Sequence, residues 1–421
     1  MKIYISGISG TGMGPLALMA KQAGIEVCGS DLNRGAIYDE LVDAGVDVEI
    51  GEQDGEYLQS QAEGLDWFVH TSALPENHPE LIMAKKLGIR VSKRDDLTAF
   101  LVEKLGLKMI AVAGTHGKTT TTAMTVWTAL KLGLPVAYIV GTTLGFAPSG
   151  AYHFGDKYFI YEADEYDRNF LKYHPWLAVI TCVSYDHPDI YATEAEYRAA
   201  FGQFKMQSER VIEAAGEGTL VRGVNVPVFE ADDFRLAGAV RRKDAALAGD
   251  AIGVMLQDSG FDADKQRIVD ILNQFPGVGR RFEKLVDGIY TDYAHHPEEI
   301  AATVEMAREQ AKIDGKSGVV VVYQPHQNTR QHEVRDGYVD AFSGVDKIYW
   351  LPTYLTRENP ALKILSPADL IDGLSNRSAA EAAELNDELY DNIVRWRDDG
   401  YLVLLMAAGP ADGWLRGKLL A

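Results

Sequence analysis

An apolar strand pattern that runs into a glycine-rich loop and then into a helical pattern occurs twice in this chain. The first copy begins at Lys2–Ser6 and continues through a glycine cluster into a helical pattern over Leu16–Ala23. The second begins at Lys108–Ala113 and passes through the loop Gly114–Gly117 into a helical pattern over Thr119–Leu130. Strand, tight glycine turn and helix in this order predict two separate α/β units.

Strand and helix patterns continue along the rest of the chain. Strand patterns at Tyr158–Tyr161 and Ala178–Val183 are followed by a mainly helical pattern that extends to Arg281. Four more strand patterns then alternate with helical stretches, and they lie at Ile289–Asp292, Val319–Tyr323, Lys347–Leu351 and Leu402–Met406. This alternation predicts a parallel sheet, and ligands on such sheets bind at the carboxyl ends of the strands. The residues expected on that rim are Asp292, Gln324, Pro352 and Ala407.

The length of the chain predicts more than one domain. It has 421 residues, whereas single hydrophobic cores stop growing near about 250 to 300 residues. The strand and helix pattern of the first unit ends near Leu107, and a Pro276-Gly277 turn precedes the third predicted domain. We therefore expect three domains, at residues 1–107, 108–281 and 282–421.

The charge balance excludes several classes of partner. A formal net charge of -20 repels nucleic acid and anionic membrane surfaces. The early glycines interrupt any secretory signal pattern, so we expect a cytoplasmic protein without membrane insertion. The two cysteines, Cys28 and Cys182, lie in apolar strand patterns and are interpreted as buried free thiols. For the oligomeric state, the sequence is compatible with either a monomer or a dimer.

The loop Gly114-Thr115-His116-Gly117-Lys118-Thr119 has the composition of a phosphate-binding loop. Its backbone N–H groups and the following helix N-terminus can hold phosphates, while Lys118 neutralises charge and Thr119 offers a hydroxyl to Mg²⁺. The strict pattern requires a glycine where Val112 stands. The alternative, a glycine turn that only caps a helix, does not account for the preceding strand and the lysine.

Acidic and histidine side chains follow the next two predicted strands. Glu162-Ala163-Asp164-Glu165 comes directly after a strand, where a carboxylate can bind the Mg²⁺ of a nucleotide. His187, within Tyr185-Asp186-His187, follows another strand and could bind a second metal ion. Taken alone, the acidic cluster is explained equally well by surface acids, and a structural histidine is the better interpretation of His187.

Two further clusters carry charged or glycine residues at predicted element ends. Arg280-Arg281 lies at the predicted hinge before the third domain, where an arginine could contact a γ-phosphate or form an interdomain salt bridge. The run from Asp292 to Pro297 ends a strand and starts a helix. In the first domain, glycines at 10, 12 and 14 allow a diphosphate to approach closely, but the dinucleotide pattern fails at Pro15, which argues against NAD.

The order of these motifs resembles the Mur ligase family over nearly the whole chain. The matching segments are Gly7 to Gly14, Gly29-Ser30-Asp31, Ala113 to Thr122, Glu162 to Asp167, Asp186-His187, Gly279 to Phe282 and Asp292 to Pro297. The resemblance implies an α/β, three-domain architecture with a Rossmann-like N-terminal domain, a P-loop ATPase-like central domain and a Rossmann-like C-terminal domain. It also implies an ATP-dependent ligase that activates a carboxylate as an acyl phosphate and joins it to an amine.

The resemblance assigns a role to each matching residue. The UDP-sugar is expected at Gly10, Thr11, Gly12, Met13, Ser30, Asp31, Ser72 and Ala73. ATP is expected at Gly114, Thr115, His116, Gly117, Lys118, Thr119, Thr120, Arg281 and Asp292. Mg²⁺, or Mn²⁺ in its place, is expected at Thr119, Glu162 and His187. The expected catalytic residues are Lys118, His187, Arg281, Asp292 and His295, and His326 and Arg330 are candidates for binding the amino acid.

Within the family, the chain resembles most the branch that joins L-alanine to UDP-N-acetylmuramate in peptidoglycan synthesis. A second branch, which joins UDP-N-acetylmuramate to a tripeptide, shares the opening and the form Glu162 to Asp167. The chain departs from the family where Lys243-Asp244 replaces a His-Asn pair that contacts adenine. That departure favours a third alternative, a nucleotide-dependent UDP-sugar-binding protein without ligase activity.

Overall fold

The computed structural model describes residues 1–71, 74–187, 190–215, 218–222, 228–356 and 358–420. The chain forms two compact units. The first comprises Met1–Phe234 with Lys243–Pro276, and the second comprises Arg235–Arg242 with Gly277–Ala421. The three predicted domain boundaries stay predictions, although each predicted domain contains one sheet. No helix in the described part of the chain is both long and apolar enough to cross a membrane.

The first sheet is parallel, with strand order β3-β2-β1-β4-β5. In chain order its elements are β1 (Lys2–Ser6), α1 (Gly14–Gln22), β2 (Glu26–Asp31), α2 (Tyr38–Asp43), β3 (Asp47–Ile50), α3 (Glu56–Ser60), β4 (Trp67–His70), α4 (Pro79–Lys86), β5 (Arg90–Lys93) and α5 (Arg94–Leu105). The helix predicted from Leu16 begins two residues earlier, at Gly14, because Pro15 suits the first turn of a helix. Ser30 and Asp31, two of the residues at which the UDP-sugar is expected, are the last residues of β2.

The second sheet has the order β12-β11-β10-β6-β9-β7-β8, with β8 and β12 antiparallel to their neighbours. Its elements are β6 (Lys108–Ala113), α6 (Lys118–Leu132), β7 (Val136–Ile139), β8 (Gly150–Ala151), β9 (Tyr158–Glu162), β10 (Leu177–Ile180), α7 (Glu194–Met206), β11 (Val211–Ala215), β12 (Gly218–Arg222), α8 (Ala239–Asp258) and α9 (Lys265–Asn273). Short 3₁₀ segments lie at Tyr166–Lys172 and Ala231–Asp233.

Two sequence predictions for this sheet were wrong. The region expected to be mainly helical contains the hairpin β11–β12, which extends the sheet at one edge. The strand expected to reach Val183 ends at Ile180, because Thr181 turns its hydroxyl toward the phosphate loop and bonds to His116 O. Cys182 therefore lies in a loop and is only half-buried, whereas Cys28 is buried in β2 as predicted.

One apolar cluster joins the first two sheets into a single unit. Its buried side chains come from both sides of the predicted boundary at Leu107, for example Leu16 and Phe159. Helix α1 packs against β8, where a Cβ on Gly150 would lie 2.4 Å from the carbonyl oxygen of Pro15. Beside this contact, the Glu40 carboxylate accepts hydrogen bonds from Ser149 N at 3.0 Å and Ser149 Oγ at 2.9 Å. The domain that is the candidate for sugar binding is thus packed against the second sheet, which carries the phosphate-binding candidate loop.

The second unit contains the third sheet, with order β13-β14-β18-β15-β16-β17 and β13 antiparallel. Its elements are β13 (Glu283–Val286), β14 (Ile289–Asp292), α10 (Pro297–Ile313), β15 (Val319–Gln324), α11 (Asn328–Val334), β16 (Lys347–Trp350), α12 (Pro367–Ile371), β17 (Ala380–Ala382), α13 (Asp387–Asp398), β18 (Leu402–Ala407) and α14 (Ala411–Leu420). In register, Asp292 pairs with Met406 and Gln324 with Ala407, so the predicted rim residues share one edge.

The contact between α1 and β8 yields a prediction about stability. Gly150→Ala places a methyl group against a backbone carbonyl that cannot rotate away, and it is expected to lower the free energy of unfolding by about 1–3 kcal/mol. Urea-induced unfolding measures this change. Gly145→Ala is the matched control, because a Cβ there meets nothing within 4 Å. Equal stability of the two variants would contradict the packing described.

Candidate active site

The phosphate-binding candidate loop connects β6 to α6 and depends on two glycines. Gly114 has φ +145°, and a Cβ there would lie 2.1 Å from Thr181 Oγ1. Gly117 has φ +81° and is the residue before α6, and a Cβ there would lie 2.6 Å from Asp244 Oδ1. Both conformations are open to glycine and strained for other residues. The loop is therefore held close to the segment after β10 and to helix α8.

Lys118 folds back onto this loop. Its ammonium group donates to Gly114 O at 2.5 Å and Thr115 O at 3.2 Å, and it contacts both oxygens of Glu165 at 2.8 and 3.1 Å. Burial disfavours its charged form, but the negative charges of Glu165 and Asp164 outweigh burial and raise the pKa of Lys118. A positive charge is thus held next to the carbonyl oxygens of Gly114 and Thr115, within the loop that would bind phosphate oxygens.

Thr119 and Glu162 lie together at the ends of α6 and β9. Thr119 Oγ1 donates to Glu162 Oε1 at 2.9 Å. The other oxygen, Glu162 Oε2, is buried and has no hydrogen-bond partner among the described residues. A hydroxyl beside a carboxylate with one unused oxygen is a donor set that suits Mg²⁺. The predicted pairing of these residues as metal ligands therefore fits the structure and stays a prediction.

His187 lies after β10, in a left-handed conformation with φ +58°. Its Nε2 is 3.6 Å from Glu165 Oε1 and 3.7 Å from Asp186 Oδ2. Burial lowers its pKa, but the nearby carboxylates of Glu165 and Asp186 favour the charged imidazole and outweigh burial, so the pKa of His187 is raised. Tyr166 packs edge-on against the imidazole with 5.1 Å between ring centroids.

Glu165 is the site residue that sequence reasoning missed. Its side chain is 1% exposed and contacts both Lys118 and His187. Burial opposes ionisation, but Lys118 and His187 keep the pKa of Glu165 below its usual value. The sequence did contain a signal, since Glu165 is the third acid of the cluster after β9. A linear pattern could not show which of these acids turns toward the lysine.

The remaining loop residues hold the loop in place. Thr115 Oγ1 donates to Ser184 O at 2.7 Å and lies 2.8 Å from Tyr197 Oη. His116 N contacts Cys182 Sγ at 3.3 Å. Thr120 is half-buried in the first turn of α6. The predicted contacts of Thr115, His116 and Thr120 with ATP stay predictions.

The predicted UDP-sugar residues lie at the carboxyl end of the first sheet. Met13 N bonds to Gly10 O at 3.2 Å just before α1, with the exposed Thr11 and half-buried Gly12 between them. Asp31 Oδ2 accepts from Ser9 N at 3.0 Å and Ser9 Oγ at 2.7 Å, which ties β2 to the glycine-rich loop. Ser72 and Ala73 lie outside the described residues.

A buried carboxylate holds the same edge of the first sheet. Glu80 is 1% exposed and accepts hydrogen bonds at 2.5 Å from the hydroxyl groups of Tyr4, Ser6 and Ser30. Gln53 Nε2 donates to Ser30 Oγ at 2.8 Å and Glu80 Oε2 at 3.2 Å. Ser30 is therefore fixed by Glu80, a residue that the sequence analysis did not include.

The second unit brings two predicted residues, Arg281 and Asp292, together at the end of β14. Asp292 accepts hydrogen bonds from Phe282 N at 2.6 Å and Ala294 N at 2.7 Å, so it fixes the loop that carries Arg281. Burial raises the pKa of Asp292 to about 6 against the opposing charge of Arg281. The Arg281 guanidinium lies 5.2 Å from the centre of the Tyr293 ring.

His295 lies next to this corner, with the amino-acid-binding candidates around it. Its Nδ1 is 3.2 Å from Tyr293 O and 3.3 Å from Glu299 Oε2. Burial lowers the pKa of His295, and the positive charge of Arg330 adds to the lowering. The ring of His326 is 5.9 Å from that of His295. The structure thus groups His295, His326 and Arg330, and their roles stay predictions.

The buried pair of Lys118 and Glu165 yields a second stability prediction. Glu165→Gln leaves the ammonium group without its buried counter-charge, which is expected to lower the free energy of unfolding by about 3 kcal/mol. Denaturant titration measures the change. Glu194→Gln is the control, because Glu194 pairs with Arg198 at 2.8 Å with both side chains 57% exposed, and it is expected to change stability by about 0.5 kcal/mol or less. Similar effects of both variants would contradict the assigned burial of the pair.

Three domain models match the chain in order. The Mur ligase family, catalytic domain, matches residues 2–104. The Mur ligase middle domain matches residues 112–213. The Mur ligase, glutamate ligase domain, matches residues 280–409. The matched segments correspond to the three sheets.

Curated relatives and solved structures agree with these matches. A UDP-N-acetylmuramate–L-alanine ligase of Symbiobacterium thermophilum is 33% identical over 100% of this chain and 94% of the relative. One of Thermosynechococcus vestitus is 30% identical over 96% of this chain and 92% of the relative. The structure of a UDP-N-acetylmuramate-alanine ligase from Thermotoga maritima has a TM-score of 0.78 at 22% identity and covers 100% of this chain and 98% of its own. A murein peptide ligase from Psychrobacter arcticus has a TM-score of 0.62 with the same identity and coverage. The predicted α/β three-domain fold is confirmed, and this chain belongs to the Mur ligase family.

Proposed function

We propose that this chain joins L-alanine to UDP-N-acetylmuramate in an ATP-dependent reaction of peptidoglycan synthesis. The observation that carries the proposal is the phosphate-binding loop with its buried Lys118 and Glu165, in a chain that aligns over its full length with ligases named for this reaction. Because the reaction uses ATP, we infer that it takes place in the cytoplasm. The amine and the carboxylate substrate are taken from the names of the relatives.

The phosphate-binding loop supports the first half-reaction. A carboxylate oxygen of the sugar attacks the γ-phosphorus of ATP, an O–P bond forms, and ADP leaves with the electrons of the broken bond. Two anions must approach each other in this step. The ammonium group of Lys118, which lies at the mouth of the loop, would offset the crowded negative charge.

The metal-ligand candidates belong to the same half-reaction. Thr119 and Glu162 would hold one Mg²⁺ ion and His187 a second, with Mn²⁺ able to take the place of Mg²⁺, and the unused buried oxygen of Glu162 fits this role. When bound, the ions would supply positive charge to the phosphate oxygens. Glu165 would orient His187, since its carboxylate lies 3.6 Å from the imidazole.

The second unit supplies the candidates for amide formation. The amine attacks the carbonyl carbon of the acyl phosphate, a C–N bond forms, and inorganic phosphate leaves. An amino acid arrives as an ammonium ion and must lose a proton before it attacks. His295 has a lowered pKa, so its neutral imidazole can accept that proton near neutral pH. His326 and Arg330 are the proposed amino-acid contacts, and Arg281 and Asp292 are the proposed ATP contacts.

The function is tested by the amine that stimulates phosphate release. Protein, Mg-ATP and UDP-N-acetylmuramate are incubated with L-alanine, glycine, L-serine or the tripeptide L-alanyl-γ-D-glutamyl-meso-diaminopimelate in separate reactions. Release that depends on L-alanine supports the proposal. Release that depends on the tripeptide instead supports the second branch of the family. Sugar binding without any amine-dependent release supports the binding-protein alternative.

Lys118→Ala tests the proposed phosphate contact. The variant is expected to lose at least about a hundredfold in turnover, since one charge-stabilising group in an active site contributes about 2.7–4 kcal/mol to the barrier. Phosphate release measures it, and circular dichroism checks the fold. Lys131→Ala is the control on the same helix, where Lys131 lies over the Trp127 ring at 4.4 Å, and it should keep normal turnover. Full activity of Lys118→Ala would contradict the role.

A further inference from the structure

Arg94 lies directly against the glycine-rich loop of the first sheet. It is the first residue of α5 and follows β5 without a gap, so it stands at the carboxyl edge of that sheet. A Cβ on Gly12 would lie 3.0 Å from Arg94 Nη1. Gly12 therefore leaves room for the guanidinium group next to the loop.

The donors of this guanidinium are largely unused. Among the described residues its ionic contact is with Asp95, where Nη2 and Oδ1 are 3.5 Å apart, too long for a good hydrogen bond. Asp95 Oδ1 accepts instead from Tyr173 Oη at 2.9 Å. Within the described ranges, the guanidinium donates no hydrogen bond to another residue. Because an arginine carries five N–H donors in a planar fork, this side chain can still bind an anion in two places at once.

Helix α5, which begins at Arg94, packs against the 3₁₀ segment Tyr166–Lys172 that follows β9. The neighbouring Lys93 differs from Arg94 because its ammonium group is already paired with Asp167 at 2.9 Å, and both side chains are about two-fifths exposed.

We propose that Arg94 binds the diphosphate of the UDP-sugar, in a fork over the glycine-rich loop, and so determines how the sugar is positioned for activation. The assignment rests on the proposed function. The small residues of the glycine-rich loop allow a diphosphate to approach closely, the dipole of α1 favours an anion at the N-terminus of that helix, and Arg94 offers a cation next to the loop. In a chain with a net charge of -20, this local charge is needed to bind a substrate with several negative charges.

Calorimetric binding of two UDP-sugars tests the assignment. UDP-N-acetylglucosamine carries the diphosphate but lacks the lactyl carboxylate of UDP-N-acetylmuramate, so it separates the two anionic groups. Arg94→Gln is expected to weaken binding of both sugars by about ten- to hundredfold, the range for losing charge-assisted hydrogen bonds. Arg94→Lys, which keeps the charge and loses the fork, should fall between Arg94→Gln and the unaltered protein. Lys93→Gln is the matched control and should bind both sugars normally.

ATP binding and the fold provide the remaining readouts. ATP should bind Arg94→Gln with unchanged affinity, which shows that the phosphate loop is intact. Normal binding of UDP-N-acetylglucosamine by Arg94→Gln would overturn the assignment, whether or not UDP-N-acetylmuramate binds more weakly. Equal weakening by Arg94→Gln and Lys93→Gln would also overturn it. If the unaltered protein binds ATP but neither sugar, the proposed substrate itself is wrong, a result distinct from a failure of Arg94 alone.

Discussion

The buried ion pair between Lys118 and Glu165 is the interaction on which the candidate site depends. Neither charge can be left without a partner away from water. The lysine starts the helix after β6, and the glutamate follows β9, whereas His187, which contacts the same carboxylate, follows β10. These three strands are neighbours in the order β10-β6-β9. One carboxylate therefore aligns the phosphate loop with both candidate metal positions.

Close packing between α1 and β8 also fixes the position of the candidate sugar site relative to the phosphate-binding candidate loop. Gly150 leaves no room for a side chain against Pro15, and Glu40 is bonded to Ser149 beside it. Helix α1 begins at the glycine-rich loop and packs against β8, the edge strand of the phosphate-loop sheet. The loop that would hold the sugar diphosphate is thus positioned relative to the loop that would hold ATP. A reaction between two bound substrates benefits from such fixed geometry, because orientation lowers the barrier.

Much of the fold could be predicted because buried parallel strands are short apolar runs that end in distinct loops. Lys108–Ala113 and Ile289–Asp292 have the predicted bounds. The hairpin β11–β12 was missed, since its segments lie at a sheet edge and lack a long apolar run. The sequence also did not show which side chains contact one another. The sequence identified Lys118, Thr119 and Glu162, but the inward turn of Glu165 and the approach of Arg94 to Gly12 arise from packing between segments far apart in the chain.

In the proposed reaction, the substrate carboxylate is activated by phosphorylation before the amide bond forms. The test uses UDP-N-acetylmuramate whose lactyl carboxylate carries the heavy isotope of oxygen, incubated with Mg-ATP and L-alanine. Mass spectrometry of the released inorganic phosphate follows the label. One labelled oxygen is expected in each phosphate molecule, because the carboxylate oxygen that attacked phosphorus leaves with it. Unlabelled phosphate, with the amide product formed, would contradict the acyl-phosphate mechanism.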